Sequence, residues 1–130
     1  MTTELTLLAW TLVLAFVQIM LPAAIRNHEA GVDYHMGPRD TPAAPPGKYA
    51  ARLQRAQANL FETLPIFIGA VLLAHAAGRE NTLTLWGCWL YFGARVVYVP
   101  LYGFGVPMLR SVVWAVAAAG MLMVLAAALL

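Results

Sequence analysis

At 130 residues the chain is long enough for one domain, and 62% of it is hydrophobic against 11% charged. Soluble domains run at about 45–50% apolar and about 25% charged, so a water-soluble globular protein is excluded. The formal net charge of +2, with no basic patch interleaved with aromatics, gives no basis for nucleic acid as a partner.

The apolar residues fall in long runs. A membrane-spanning helix needs about 20 of them, because a rise of about 1.5 Å per residue must cross about 30 Å of hydrocarbon. Leu5 to Ile25 meets that length without a charge, and Gln18 is its only strongly polar side chain. Glu4 and the lack of Lys or Arg before the run argue for a span rather than a signal peptide. A loop follows from Arg26 to Gly47, with Pro38, Pro42, Pro45 and Pro46, and is expected to be irregular. Its polar residues and their neighbours, Asn27, His28, Glu29, Asp33, His35 and Asp40, match no zinc or calcium spacing, so no metal is expected. Ala56 to Ala77 is the second apolar run, broken by Gln57, Asn59, Glu62 and His75. Leu83 to Phe104 is the third and holds one charge, Arg95. Val112 to Leu130 is the fourth and holds none. Alternating ten-residue strands, the mark of a membrane barrel, are absent. The expected fold is an all-α integral membrane protein. It is a single domain over 1–130, a bundle of four transmembrane helices at about 4–25, 48–77, 81–104 and 107–130, with a cytoplasmic loop at 26–47. The one cysteine, Cys88, reads as a small packing residue and permits no intrachain disulfide.

Basic residues set the orientation. Arg26, Arg39, Lys48, Arg52 and Arg55 lie between the first helix and the start of the second, and Arg95 and Arg110 flank the turn between the third and fourth. Only Arg79 lies on the other side. The positive-inside rule then puts the loop and the later turn in the cytoplasm and both termini outside.

The start of the second helix carries the chemistry. Arg52, Arg55, Asn59 and Glu62 are spaced i, i+3, i+7, i+10 and cover one helix face. Glu62 lies about 10 Å deeper than Arg55, inside the hydrocarbon region. An ionised carboxylate facing lipid there is costly, about 2.5–3.5 kcal/mol on lenient scales for comparable charges, so Glu62 must face protein, water or a cation. Tyr91, Arg95, Tyr98 and Tyr102 share a face of the third helix, and Arg110, Ser111 and Trp114 open the fourth. An ion pair of Glu62 with Arg55 or Arg95 that fixes helix register would be a purely structural use of these groups. Four arginines against one glutamate do not balance, however, and the excess positive charge beside hydroxyls suggests a pocket for an anion. Pro65 and Pro100 each release a backbone carbonyl beside it.

The stretch Arg52-Leu53-Gln54-Arg55-Ala56-Gln57-Ala58-Asn59-Leu60-Phe61-Glu62-Thr63-Leu64-Pro65 resembles the second-helix signature of the MAPEG family, the membrane-associated proteins in eicosanoid and glutathione metabolism. Arg95 to Tyr102 is similar to their third helix, and Leu109, Arg110 and Ser111 to the start of their fourth. The resemblance covers essentially the whole chain and is to a short, bacterial-type member. It implies a homotrimer of four-helix protomers, in a bacterial inner membrane, with glutathione held near the cytoplasmic face as co-substrate. Arg110 and Ser111 would lie by the thiol as the catalytic pair. Arg52, Arg55, Asn59, Glu62, Arg95, Tyr98, Tyr102 and Trp114 would line or brace the glutathione pocket. The implied partners are a second and third copy of the chain, membrane lipids and a hydrophobic small molecule.

Physical chemistry is consistent with that implication. Glutathione carries two carboxylates and one ammonium, which arginines and a glutamate complement. Its thiol has an ordinary pKa of about 8.5, and lowering that by two units takes about 2.7 kcal/mol. A guanidinium, a hydroxyl and a helix N-terminus are of the size to supply it. The expected activity is a membrane-bound glutathione-dependent transferase or peroxidase acting on hydrophobic electrophiles or lipid hydroperoxides. A non-catalytic lipid-binding membrane scaffold of the same fold is the alternative. A small proton-coupled exporter is disfavoured, because the one acid set well inside the second helix, Glu62, sits among arginines that would hold it ionised. Three positions depart from the family pattern: Ala58 replaces a basic residue, Gln57 a histidine and Trp114 a tyrosine found in several glutathione-using members.

Overall fold

The computed structural model describes residues 1–31, 36–38 and 45–130. The long helices among the described residues are α1 (Thr3–Ala30), α2 (Lys48–Ala76), α3 (Thr82–Gly103) and α4 (Pro107–Leu129), with no strand among those residues. By length and composition α1, α2 and α4 can each cross a membrane. α3 carries Trp86, Trp89, three tyrosines and Arg95, which lower its hydropathy. At about 33 Å it still has the length to cross. Hydrogen bonds fix it along the whole bundle: Thr84 Oγ1 donates to Glu4 Oε2 (2.8 Å) at one end, and Arg52 Nη1 donates to the Gly103 carbonyl (3.3 Å) at the other. The chain is thus an integral membrane protein whose helices run antiparallel in sequence.

Each helix end has a local cause. Thr2 caps α1, its hydroxyl accepting from the Leu5 N–H. α1 runs to Ala30, five residues past the expected end, so Arg26, Asn27, His28 and Glu29 belong to the helix and not to the loop. The reason is local: Arg26 and Glu29 pair at 3.3 Å across i, i+3, and the helix stops only at Gly31, which takes a φ of 91°. Glu29 also accepts from the N–H of Gly47 (2.6 Å), tying the end of α1 to the start of α2. Asp33, His35 and Asp40, weighed above as metal ligands, lie outside the described residues. Asn81 opens α3 with a reciprocal capping box to Thr84. Pro107 opens α4 at the position where its fixed φ suits a helix start. α2 continues through Pro65 and α3 through Pro100.

Packing follows the small residues. α3 and α4 meet most closely at Gly87 and Gly120, where a Cβ on either would come within 2.7 Å of the other's carbonyl oxygen. Close backbone approach of this kind is a common basis of helix association in membranes. The core joins Leu7 and Leu8 of α1, Leu60 and Phe67 of α2, Tyr91 of α3 and Val124 of α4. Phe67 stacks on Tyr91 with ring centroids 4.0 Å apart, and the Tyr91 hydroxyl shares a 2.8 Å hydrogen bond with Thr63. Trp10, Phe16, Trp86 and Leu122 stay exposed on the outside of the bundle, where lipid rather than water is the solvent.

Candidate functional site

The arginine-rich end of the bundle contains a cleft of about 300 Å³ lined by Asn59, Tyr98, Tyr102, Arg110, Ser111 and Trp114. Three helices build it. α2 supplies Asn59, α3 presents Tyr98 and Tyr102 one turn apart, and the first two turns of α4 bring Arg110, Ser111 and Trp114. Glycine makes the approach of α4 feasible: Gly105, at φ 72°, forms the tight turn from α3 to α4.

Tyrosine rings hold the guanidinium groups in place. Arg110 lies 4.5 Å from the centroid of the Tyr102 ring, and Arg55 lies 5.8 Å from the same centroid while its Nε donates to the Tyr102 hydroxyl at 3.2 Å. Tyr102 therefore spaces two cations that would otherwise repel. Its ring tilts 60° to that of Tyr98, centroids 5.6 Å apart. Tyr98 in turn lies under Arg95, at 4.3 Å. Among the described residues no acid lines the cleft, so its electrostatics favour an anion.

Four of the residues singled out from sequence lie outside the cleft lining. Arg95 is 1% exposed and acts from behind: its Nη1 donates to Asn59 Oδ1 at 2.9 Å. That bond commits the Asn59 carbonyl and leaves its NH₂ group free to point elsewhere. Arg52 clips the start of α2 to the end of α3 through the Gly103 carbonyl. Arg55 braces Tyr102 and is exposed. Glu62 is exposed on the outer surface of α2. The structural ion pair weighed above is absent: the salt bridges among the described residues are Arg26–Glu29 and His75–Glu80, and Arg95 pairs with an amide instead of a carboxylate. One helical turn of difference in depth accounts for this, since Arg95 meets α2 at Asn59, and Glu62 turns outward.

The Ser111 hydroxyl donates to the Pro107 carbonyl at 3.2 Å, the back-bond a serine makes one turn into a helix. To donate to a bound group it must rotate away, giving up about 1 kcal/mol of net hydrogen bonding. The uncapped start of α4, behind Val106, adds backbone N–H groups and a partial positive charge beside Arg110.

A second polar cluster, at the far end of the bundle, escaped the sequence reading. Thr2 donates to Glu80 (2.7 Å), His75 Nδ1 lies 3.0 Å from the same carboxylate, and buried Glu4 accepts from Thr84. Burial pushes the Glu80 carboxyl up, but the hydrogen bonds from Thr2 and His75 and the charge of His75 outweigh it and hold the group below its usual value. The contacts of Thr2 with Glu80 and of Glu4 with Thr84 join residues about 80 positions apart and leave no local pattern to read.

Residues 7–130 match the model of the MAPEG family, which covers nearly the whole chain including every residue of the cleft. No curated protein and no solved structure gives a significant match. The match, together with the all-helical membrane architecture, places this chain in the MAPEG family.

Proposed function

We propose that the protein is a membrane-bound, glutathione-dependent transferase or peroxidase acting on hydrophobic electrophiles or lipid hydroperoxides. The observation that carries this reading is the cleft itself: a guanidinium fixed over an aromatic ring, beside a serine hydroxyl and an amide, with no carboxylate among the described residues that line it. Such a set suits the carboxylates and the thiolate of glutathione. Arg110 stabilises the thiolate, and Ser111 adds a hydrogen bond once its hydroxyl leaves Pro107. In transfer, the sulfur forms a bond to an electrophilic carbon, and a leaving group departs or a proton is taken up at the neighbouring atom. In reduction, two thiols give a disulfide while the hydroperoxide becomes an alcohol and water. The electrophile reaches the cleft from the lipid.

The ammonium of glutathione finds no acid among the described residues that line the cleft of one protomer. Glu62 is the nearest candidate in sequence, and it stands on the protomer surface inside the span. A carboxylate cannot stay there against lipid without cost. We therefore read the functional unit as a homotrimer, in which a neighbouring copy covers this face. The crowding of Lys48, Arg52, Arg55 and Arg110 at one end supports a cytoplasmic position for the cleft, in a bacterial inner membrane with both termini outside.

Two observations favour the second reading, a non-catalytic lipid-binding scaffold. The Ser111 hydroxyl is engaged by the backbone, and Ala58 offers no charge where several glutathione-using members have one. Titrating glutathione into the protein in detergent and following thiolate absorbance separates the two. The transferase reading expects a stoichiometric signal at neutral pH that Arg110→Ala abolishes. Absence of any signal at millimolar glutathione overturns it in favour of the scaffold.

A further inference from the structure

Only four buried side-chain atoms among the described residues lack a hydrogen-bond partner: Nε2 and Oε1 of Gln18, and Nε and Nη2 of Arg95. The two side chains are 2% and 1% exposed. Buried polar groups left unpaired in a low-dielectric interior are costly, and hydrocarbon offers no water of its own to relieve them.

The two residues lie within one helical turn of each other in depth, on helices that pack together. The Thr84–Glu4 hydrogen bond sets the register of α1 against α3. Gln18 lies fourteen residues beyond Glu4, about 21 Å along the helix. Arg95 lies eleven beyond Thr84, and its guanidinium stacks on the Tyr98 ring, 4.3 Å away. Gln18 belongs to the buried stripe of α1, with Thr11, Ala15 and Pro22. That stripe meets only α2 and α3, because α1 does not pack against α4. The complement is also chemical: Arg95 offers donors alone, and the Gln18 amide offers an acceptor and donors.

We infer that Gln18 and Arg95 hold ordered water between them inside the protomer, and that this hydrated layer fixes Asn59 in the cleft through Arg95. A water accepts from the free guanidinium N–H groups and donates to Gln18 Oε1, satisfying both sides at once. The guanidinium, held from behind, keeps Nη1 on Asn59 Oδ1 and so keeps the Asn59 NH₂ turned from α3. Gln18 is thereby a positioning residue for the cleft, although it sits on a helix that contributes nothing to the lining. The inference does not depend on which anion or thiol the cleft binds.

Solid-state NMR of the full chain in lipid bilayers, with ¹⁵N-labelled arginine and asparagine, tests it without any ligand. Magnetisation transferred from water should reach the Arg95 Nε–H, identified by its loss in Arg95→Lys. Gln18→Met, equal in size but with no hydrogen-bonding group, should lose that transfer and shift the Asn59 side-chain amide signal. Gln18→Ser, smaller and polar, should retain the transfer by admitting a second water and should leave the Asn59 signal near its original position. Absence of transfer in the unmodified protein overturns the hydrated layer whatever the variants do. Loss of transfer in Gln18→Ser overturns it as well, and an unmoved Asn59 signal in Gln18→Met overturns the positioning role.

Discussion

The two ends of the bundle treat their polar groups in opposite ways. At the far end, Glu4, Glu80, His75, Thr2 and Thr84 satisfy one another across three helices, and Arg79 donates to the Ala128 carbonyl of the fourth (3.3 Å). At the arginine-rich end, Arg52, Arg55, Arg95 and Arg110 rest on tyrosine rings and on carbonyl oxygens, and none of the four pairs with an acid among the described residues. Groups that close on themselves clamp a fold. Groups that hold geometry while leaving charge uncompensated are arranged for something that arrives from outside. The comparison predicts a division: substitutions in the far half should cost stability, and those around the cleft should cost binding.

The largest effect on stability is expected at Gly120. A Cβ there would meet the Gly87 carbonyl oxygen at 2.6 Å and the Tyr91 N–H nitrogen at 2.8 Å, both backbone atoms that cannot swing aside. Gly120→Ala should destabilise the protein by about 3 kcal/mol, the upper range for overpacking, read as a lower midpoint of thermal unfolding in detergent. Next comes Tyr102→Leu, which removes the ring between Arg55 and Arg110. Two cation–π contacts worth about 1 kcal/mol each are lost, so anion or thiol binding should weaken about thirtyfold with the unfolding midpoint little changed. Tyr102→Phe, which loses only the hydrogen bond from Arg55, should cost about fivefold or less by the same titration. A Tyr102→Leu protein that melts early but binds normally would break the division.

Thr84→Val is a smaller far-end test. The substitution keeps shape, removes the donor to buried Glu4 and dismantles the capping box of α3. Leaving a buried acceptor without its partner costs about 1–3 kcal/mol, so the unfolding midpoint should fall while the glutathione titration stays unchanged.

Much of this was legible because membrane helices obey two strict periodicities, in length and in face. Long apolar runs located the spans, and spacing of three and four residues put Asn59, Tyr98, Tyr102, Arg110, Ser111 and Trp114 at one end of three helices. What stayed hidden depends on rotation and register between helices. Sequence could place Arg95 and Glu62 at neighbouring depths, but it could not tell that the guanidinium meets Asn59 while Glu62 turns outward. The Gln18 amide was visible as the one strongly polar side chain in its span, yet its depth against α3 follows only once Glu4 and Thr84 fix the register. The extension of α1 to Ala30 was hidden for a different reason: apolar count marks where a helix leaves the lipid, and an Arg26–Glu29 pair carries it on into water.

The gentlest prediction concerns acid. Glu80 stands in the turn between α2 and α3, and its carboxyl titrates below the ordinary 4.5 in the folded protein. A carboxylate whose folded pKa is depressed binds protons more readily when unfolded, so stability rises with pH through this range. The contribution is complete above the unfolded pKa and is lost as pH falls through the folded one. Acidification below about 4.5 should therefore release Thr2 and His75 from Glu80 and loosen the start of α1 before the rest of the bundle. Glu80→Gln should flatten the acid limb of the unfolding midpoint against pH and leave the neutral-pH value almost unchanged, because an exposed pair of this kind contributes little. Hydrogen exchange at the amides of α1's first turn reads the same event locally. An acid limb as steep in Glu80→Gln as in the unmodified chain would move the acid-sensitive clamp to another carboxylate, with buried Glu4, held by Thr84, the next to substitute.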